Sequence, residues 1–209
     1  KAKAAELRVH GIVLVHALGK RVPGWLSEQP TVLAKPIELW QSPERKQRLA
    51  QEEHTPLEQL GESKLLVKCF VTYCRYHSTQ PSKPLGEREV ELLFLMLPIF
   101  SEHSLVNYAF LKAFYLQVAS TYEPRHKAAI LRHFLSVFAS PSAPAEDKVH
   151  ALQLLVLPLL SASFAQKQAR EILAPDIISA VINTLLGGEQ LPSYDEPLRI
   201  ELLKLATLL

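Results

Sequence analysis

The side chains best placed to do chemistry in this chain are histidines and carboxylates at helical spacing. His126 and His133 are seven positions apart, which puts both on one face of a helix, where a pair can hold a metal ion if further ligands join it. No Asp, Glu or Cys stands between them at ligand spacing, and a metal wants three or four ligands with support behind them. The pair therefore reads as two half-buried structural histidines. Glu87, Glu89 and Glu91 alternate with Arg88 at a helix start, where the positive end of the helix dipole accounts for carboxylates without any acid–base role. Gly61-Glu62-Ser63 opens like a nucleophile elbow, but the closing glycine is missing. The 7 glycines are scattered, with neither a phosphate-cradling P-loop nor a Gly-x-Gly-x-x-Gly turn, and the His-Arg-Asp and Asp-Phe-Gly elements of kinases are absent from the sequence. These residues point to no catalytic, cofactor-binding or metal-binding site, and to a chain that is not an enzyme.

Binding is the chemistry that remains. A formal net charge of +2 over 209 residues is a small excess for a protein that neutralises phosphates one by one with Lys or Arg, and it argues against direct nucleic-acid binding. Positive charge gathers mildly at the amino end, where Lys1, Lys3, Arg8, Lys20 and Arg21 face only Glu6; a solvated helix face is the expected reading. Trp25 and Trp40 fall in an irregular stretch and could anchor a partner, since Trp is enriched at interface hot spots. Packing of that stretch onto neighbouring helices is the alternative. Cys69 and Cys74, the only cysteines, would sit about 140° apart around a helix, too far to bond to each other, and their spacing is not the Cys-x-x-Cys of a zinc or redox site. Reduced thiols are expected. The most apolar stretch, 151–160, is broken by Gln153 and Pro158 and falls short of the about 20 residues a bilayer span requires, so neither a span nor a signal peptide is predicted.

The elements that must position these residues are helices. Leu7, Gly11, Leu14 and Leu18 recur at helical steps, widened by Val9, Ile12 and Val13, and Gly19 is expected to end that helix. Pro23, Gly24, Pro30, Pro36 and Pro43 punctuate the next stretch of chain, predicting short helices and a charged linker at 44–56. A helix over 62–77 buries Leu65, Leu66, Cys69, Phe70 and Tyr73; the two prolines of 78–84 end it. Helix pairs are then predicted at 87–100 with 105–120, 125–138 with 146–160, and 175–186 with 196–209, separated by turns at 101–104, 122–124, 140–144 and 187–193. Second helices beginning near 105, 146 and 196 repeat every about 40–50 residues, the period of HEAT and armadillo repeats. The helix over 105–118 has only Asn107, Lys112 and Gln117 as polar residues, scattered around its axis, and is expected to be covered on several sides. Because 202–209 is leucine-rich without a polar cap, the chain is expected to continue beyond Leu209. The reading is an all-α, HEAT-like helical-repeat solenoid of antiparallel helix pairs, a fragment of a larger superhelix, with 1–60 an irregular helical segment and linker and 61–209 the helix pairs.

Several segments together carry a resemblance. Leu39-Trp40 precedes a charged tract; Glu62-Ser63-Lys64-Leu65-Leu66-Val67-Lys68-Cys69-Phe70-Val71-Thr72-Tyr73-Cys74 comes next; Asp147-Lys148-Val149 leads to Leu154-Leu155-Val156-Leu157-Pro158 and Ser163-Phe164; and Leu198-Arg199-Ile200-Glu201-Leu202-Leu203-Lys204-Leu205-Ala206-Thr207-Leu208-Leu209 closes the chain. In order and spacing they resemble a HEAT-repeat region of the transformation/transcription domain-associated protein family (TRRAP and its fungal counterparts). The match is scattered over 40–209, and 1–36 is placed by continuity. The resemblance implies a large member of the phosphatidylinositol-3-kinase-related proteins whose kinase-like domain is catalytically dead and whose body is a helical solenoid. It further implies a nuclear subunit of histone acetyltransferase co-activator complexes, SAGA-type and related, that offers protein-interaction surface to transcriptional activators and other subunits. No functional residue of the family transfers to this segment, and no cofactor is implied. The alternatives are an enzyme with an unrecognised site built from His126, His133 and 87–91, or a nucleic-acid-binding helical repeat.

Overall fold

The computed structural model describes residues 2–45, 47–48, 61–78, 85–102, 105–185, 187 and 193–209. Lys1, Leu186, most of the linker at 44–56, positions 79–84 of the two-proline segment, 103–104 of one predicted turn and 188–192 of another lie outside the described residues. Everything described is helix, turn or irregular, with no strand among the described residues. The chain divides into two compact units, one gathering Lys1–Pro84 with Glu102–Leu111 and the other Leu85–Ser101 with Lys112–Leu209.

In the first unit, α1 (Ala2–Arg21), α2 (Trp25–Glu28) and α3 (Pro30–Gln41) lead to α4 (Glu62–Ser78), against which both α1 and α3 pack. The predicted helix at 62–77 is present, and its residues Leu65, Leu66, Cys69, Phe70 and Tyr73 are buried, as are Val67, Val71 and Cys74. Both cysteines are free. Two expectations for α1 fail. Only part of the apolar stripe is buried: Leu7 is 73% and Leu14 59% exposed, while Ile12, one of the residues that widen the stripe, is buried together with Gly19. Both faces of α1 are apolar, and a polar partner decides between them, because the Arg8 guanidinium donates from Nε to the Glu62 carboxylate at 2.8 Å. Nor does Gly19 end the helix, which runs to Arg21. Glycine serves a different purpose there, since a Cβ would stand 2.8 Å from Leu26 Cδ1. The turn falls instead at Gly24, whose φ of 88° and closeness to the Tyr76 ring leave no room for a side chain.

Pro36 does not punctuate the chain as expected. It lies inside α3 and joins Leu33 and Trp40 in that helix's buried stripe, forfeiting only the bond its own nitrogen would have made. Trp40 is 1% exposed and meets Phe70 edge-on at 5.9 Å, so packing accounts for it; Trp25 is half-buried. Where the linker is described, it is tied down. Arg45 stacks over Trp40 at 4.7 Å and grips both Glu102 oxygens. Arg48 pairs with Glu62 at 2.9 Å and donates to the Leu39 carbonyl at 2.7 Å.

In the second unit, α5 (Glu87–Leu95) turns at Met96–Pro98 into α6 (Ile99–Glu102), so the predicted helix at 87–100 is interrupted where Pro98 falls. A 3-10 turn over Leu105–Tyr108, which belongs to the first unit, precedes α7 (Ala109–Thr121), whose residues from Lys112 onward belong to the second. Contrary to expectation, α7 has a clean solvent face: Lys112, Ala113, Leu116, Gln117 and Ser120 are exposed and the opposite side is buried. Polarity alone misleads there because Leu116, 53% exposed, stands among the surface residues. Next comes α8 (Pro124–Ala139). α9 (Ala145–Ala151) then continues through a π-turn at Leu152–Val156 into α10 (Leu157–Ala165). The π-turn sits just before Pro158, whose ring cannot tolerate the carbonyl four residues back in a regular ladder; Leu157 bonds five residues back to Leu152 instead. The stretch Ala145–Ala165 thus becomes 21 residues of unbroken helix, long and apolar enough to cross a membrane by length and composition, a length the proline had argued against. Leu152, Leu155, Val156, Leu159 and Leu160 on it are packed into protein.

A Schellman-type cap ends α10, with Lys167 at φ 59° and the Gln168 N–H bonded to the Ser163 carbonyl at 2.8 Å. The short α11 (Ala169–Ile172) comes after it, which the sequence pattern did not resolve, then α12 (Pro175–Ala180) with a π-turn to Leu185, and α13 (Glu196–Leu208). The backbones that come closest join like to like. α8 meets α5, α11 and α12, while α13 lies against α9 and α10. First helices stack on first helices and second on second, as successive repeats do.

Candidate interaction surface

The residues singled out for chemistry are dispersed into structural tasks. On α8, His126 is buried and stands edge-on to Tyr122 at 6.1 Å, while half-buried His133 packs on Phe94 at 4.6 Å. Burial pushes both imidazoles below their ordinary pKa, and each faces an aromatic ring. No group of three His, Cys, Asp or Glu side chains suited to a metal occurs among the described residues. On α5, Glu89 is buried and folds back over Gly86 at the N-cap, whereas Glu87 and Glu91 are exposed, with Arg88 3.5 Å from Glu91. Of the amino-terminal basic residues, Lys3 and Arg21 are solvated and Arg8 is paired with Glu62; Glu6 is exposed. Burial pushes the Cys69 thiol up to about 12, which keeps it protonated and unreactive.

Two concavities lined by described residues bear on binding. One, of about 510 Å³ in the second unit, is lined by Phe100, Ser101, Val149, His150 and Leu198 with Glu146 and Asp195. Ser101 Oγ is 3.3 Å from His150 Nδ1, a nucleophile–base pairing in outline. A working base needs an orienting partner, and no carboxylate bonds His150 among the described residues; its ring rests on Phe100 at 6.1 Å.

The other, of about 650 Å³, lies in the first unit between α1 and α4. α1 supplies His16, Gly19 and Lys20 at helical steps, and α4 supplies Lys64, Lys68, Val71 and Arg75 from one of its faces. Lys68 Nζ lies 5.6 Å from the Phe110 ring centroid, a cation–π contact. Lys20, Lys64 and Lys68 have no carboxylate partner among the described residues. Burial first, then the charges of Lys64 and Lys20, lower the Lys68 pKa; burial, Lys68 and Lys20 likewise lower that of His16. Sequence reasoning weighed only the amino-terminal basic residues. Lys64, Lys68 and Arg75 were visible at steps of four and seven on the helix predicted at 62–77, but their meeting with His16 and Lys20 depends on which face α1 turns inward.

Comparison with known proteins bears on the whole chain. The family model described as the Tra1 HEAT repeat ring region matches residues 1–209. The chain is 32% identical over 221 residues to the probable transcription-associated protein 1 of Dictyostelium discoideum, an alignment covering 100% of this chain and 4% of that protein. It is 28% identical over 214 residues to the transformation/transcription domain-associated proteins of Danio rerio and Homo sapiens, covering 98% of this chain and 5% of each. The chain thus spans only a small part of the length of these relatives. No solved structure matches it. With a match over its entire length and a helical-repeat architecture to go with it, the chain belongs to the Tra1 HEAT repeat ring region family.

Proposed function

We propose that this chain is a non-catalytic scaffold segment of a transcription co-activator subunit. It provides protein-interaction surface within nuclear histone acetyltransferase complexes of the SAGA type and related ones, where its partners are complex subunits and transcriptional activators. The observation that carries this reading is the family match along all 209 residues, to relatives named for transcription. The stacking of like helices supports it, because repeat arrays present extended surfaces to partners instead of enclosing a reaction. So does the dispersal of His126, His133 and Glu87 to Glu91 into packing, burial and solvent. The test is affinity purification of the full-length parent protein with identification of what accompanies it. Acetyltransferase subunits are expected in the eluate; their complete absence would overturn the assignment.

A further inference from the structure

We propose that the groove between α1 and α4 docks an acidic polypeptide segment that also carries an apolar side chain. The inference rests on the scaffold reading and adds a place and a partner chemistry to it. Lys20 from α1 and Lys64 and Lys68 from α4, without carboxylate partners among the described residues, converge on the groove, and after burial the charges of Lys64 and Lys20 lower the Lys68 pKa. An arriving carboxylate relieves that repulsion, so charge complementarity selects an anion.

The rest of the lining decides which anion. Val71 and Phe110 give the groove an apolar side, a feature that a phosphate backbone has no use for. The charge balance of +2 is also too even for a site that must neutralise many phosphates. From Lys64 to Arg75 the cationic stripe of α4 runs about 16 Å, which an extended segment of about five residues covers. A short stretch of Asp and Glu with one Phe or Leu among them fits these terms.

The experiment measures binding of a fluorescein-labelled 12-residue peptide, about twice the length of the stripe, in which Asp and Glu are interspersed with Phe and Leu. It uses fluorescence anisotropy with the full chain. Wild type is expected to bind, and Lys64→Glu with Lys68→Glu to weaken binding on the order of tenfold or more. The Lys64→Arg with Lys68→Arg variant should retain it, and Arg170→Glu, exposed on α11 outside the groove, should change nothing. Replacing Phe and Leu of the peptide by Ser should weaken binding as well. The exposed Lys20→Glu substitution repeats the test with least risk to folding, which far-ultraviolet circular dichroism checks for each variant. The proposal falls if folded charge-reversal variants bind the peptide as wild type does. It also falls if the Ser peptide binds equally well, or if inositol hexakisphosphate or a single-stranded oligonucleotide binds more tightly than the peptide. The two readings separate in the parent protein. If subunits co-purify with wild type and the peptide ignores the charge reversal, the scaffold role stands and the groove assignment falls. If no subunits accompany wild type, the scaffold role falls whatever the peptide does.

Discussion

At the scale of single residues, the most informative side chain is one whose place the sequence concealed. Lys127 comes directly after His126 on α8 and reads as a surface lysine, yet it is fully buried, and its ammonium reaches only the side-chain oxygens of Gln166 and Gln168, each at 3.3 Å. Those glutamines belong to the αL cap that ends α10, a turn built on Lys167 instead of glycine and so without the usual sequence mark. Burial lowers the Lys127 pKa, and two long bonds to neutral amides offset little of a desolvation cost that a carboxylate would have met. Lys127→Met should therefore stabilise the chain by about 1 kcal/mol, raising Tm by about 2–4 °C. Thermal unfolding followed by circular dichroism checks it, and a fall in Tm would show that the two amides hold the ammonium well.

The histidines set a pH dependence of definite sign. His126, His133 and His16 all have folded pKa values below the ordinary 6.5, with burial the largest cause in each. Below about pH 6.5 the unfolded chain binds protons that the folded chain refuses, so stability falls as pH drops through that value and continues to fall until the folded pKa values are passed. Tm measured between about pH 7.5 and 5 should decline, and His126→Leu should flatten part of the decline. A profile flat across this range would contradict the buried, neutral assignment.

At the scale of elements, legibility depended on how many faces a helix could bury. The helix at 62–77 was readable because Leu65, Leu66, Val67, Phe70 and Val71 cover several sides of it, and almost any register buries it. α1 was readable as a helix but not in register, since both of its faces are apolar and Glu62, 54 positions away, chooses between them. The cationic groove was hidden for the same reason. Pro36 and Pro158 were read as breaks because a local rule cannot know that tertiary packing holds α3, or that a π-turn absorbs the second proline. Glu62 is the residue on which this register turns: it is 6% exposed and held by Arg8 and Arg48. Glu62→Gln leaves two guanidinium groups without their anion, and since Arg8 is partly solvated the expected loss is about 2 kcal/mol, below the full cost of breaking a buried pair. Urea unfolding should show this loss in Glu62→Gln and a smaller loss when Arg8→Met is combined with it. Equal losses would mean that Arg8 does not depend on the pair.

At the scale of the whole molecule, each of the two units has helices with one covered side and one open side. In the first unit the open side of α1 carries Leu7, Val13 and Leu14, with Val22 just beyond its end, exposed by 43% to 73%. In the second, Ile178 and Ile182 around α12 and Ile200 and Leu203 on α13 are between 42% and 53% exposed. Single apolar side chains on a surface are ordinary, but rows at helical spacing make contiguous patches, and such patches favour association. Each leucine removed from water contributes about 2 kcal/mol at most, so two or three per face suffice for weak self-association against the entropy of bringing chains together. The 209-residue chain expressed alone should therefore self-associate with rising concentration in sedimentation velocity. Leu7→Glu with Leu14→Glu should shift it toward monomer without loss of helical signal, because neither side chain belongs to the core that α1 shares with α4. A wild-type chain that stays monomeric up to about 100 µM, where a net association free energy of about 5 kcal/mol would already show as a measurable dimer fraction, would mean that the open face of α1 is tolerated as plain surface.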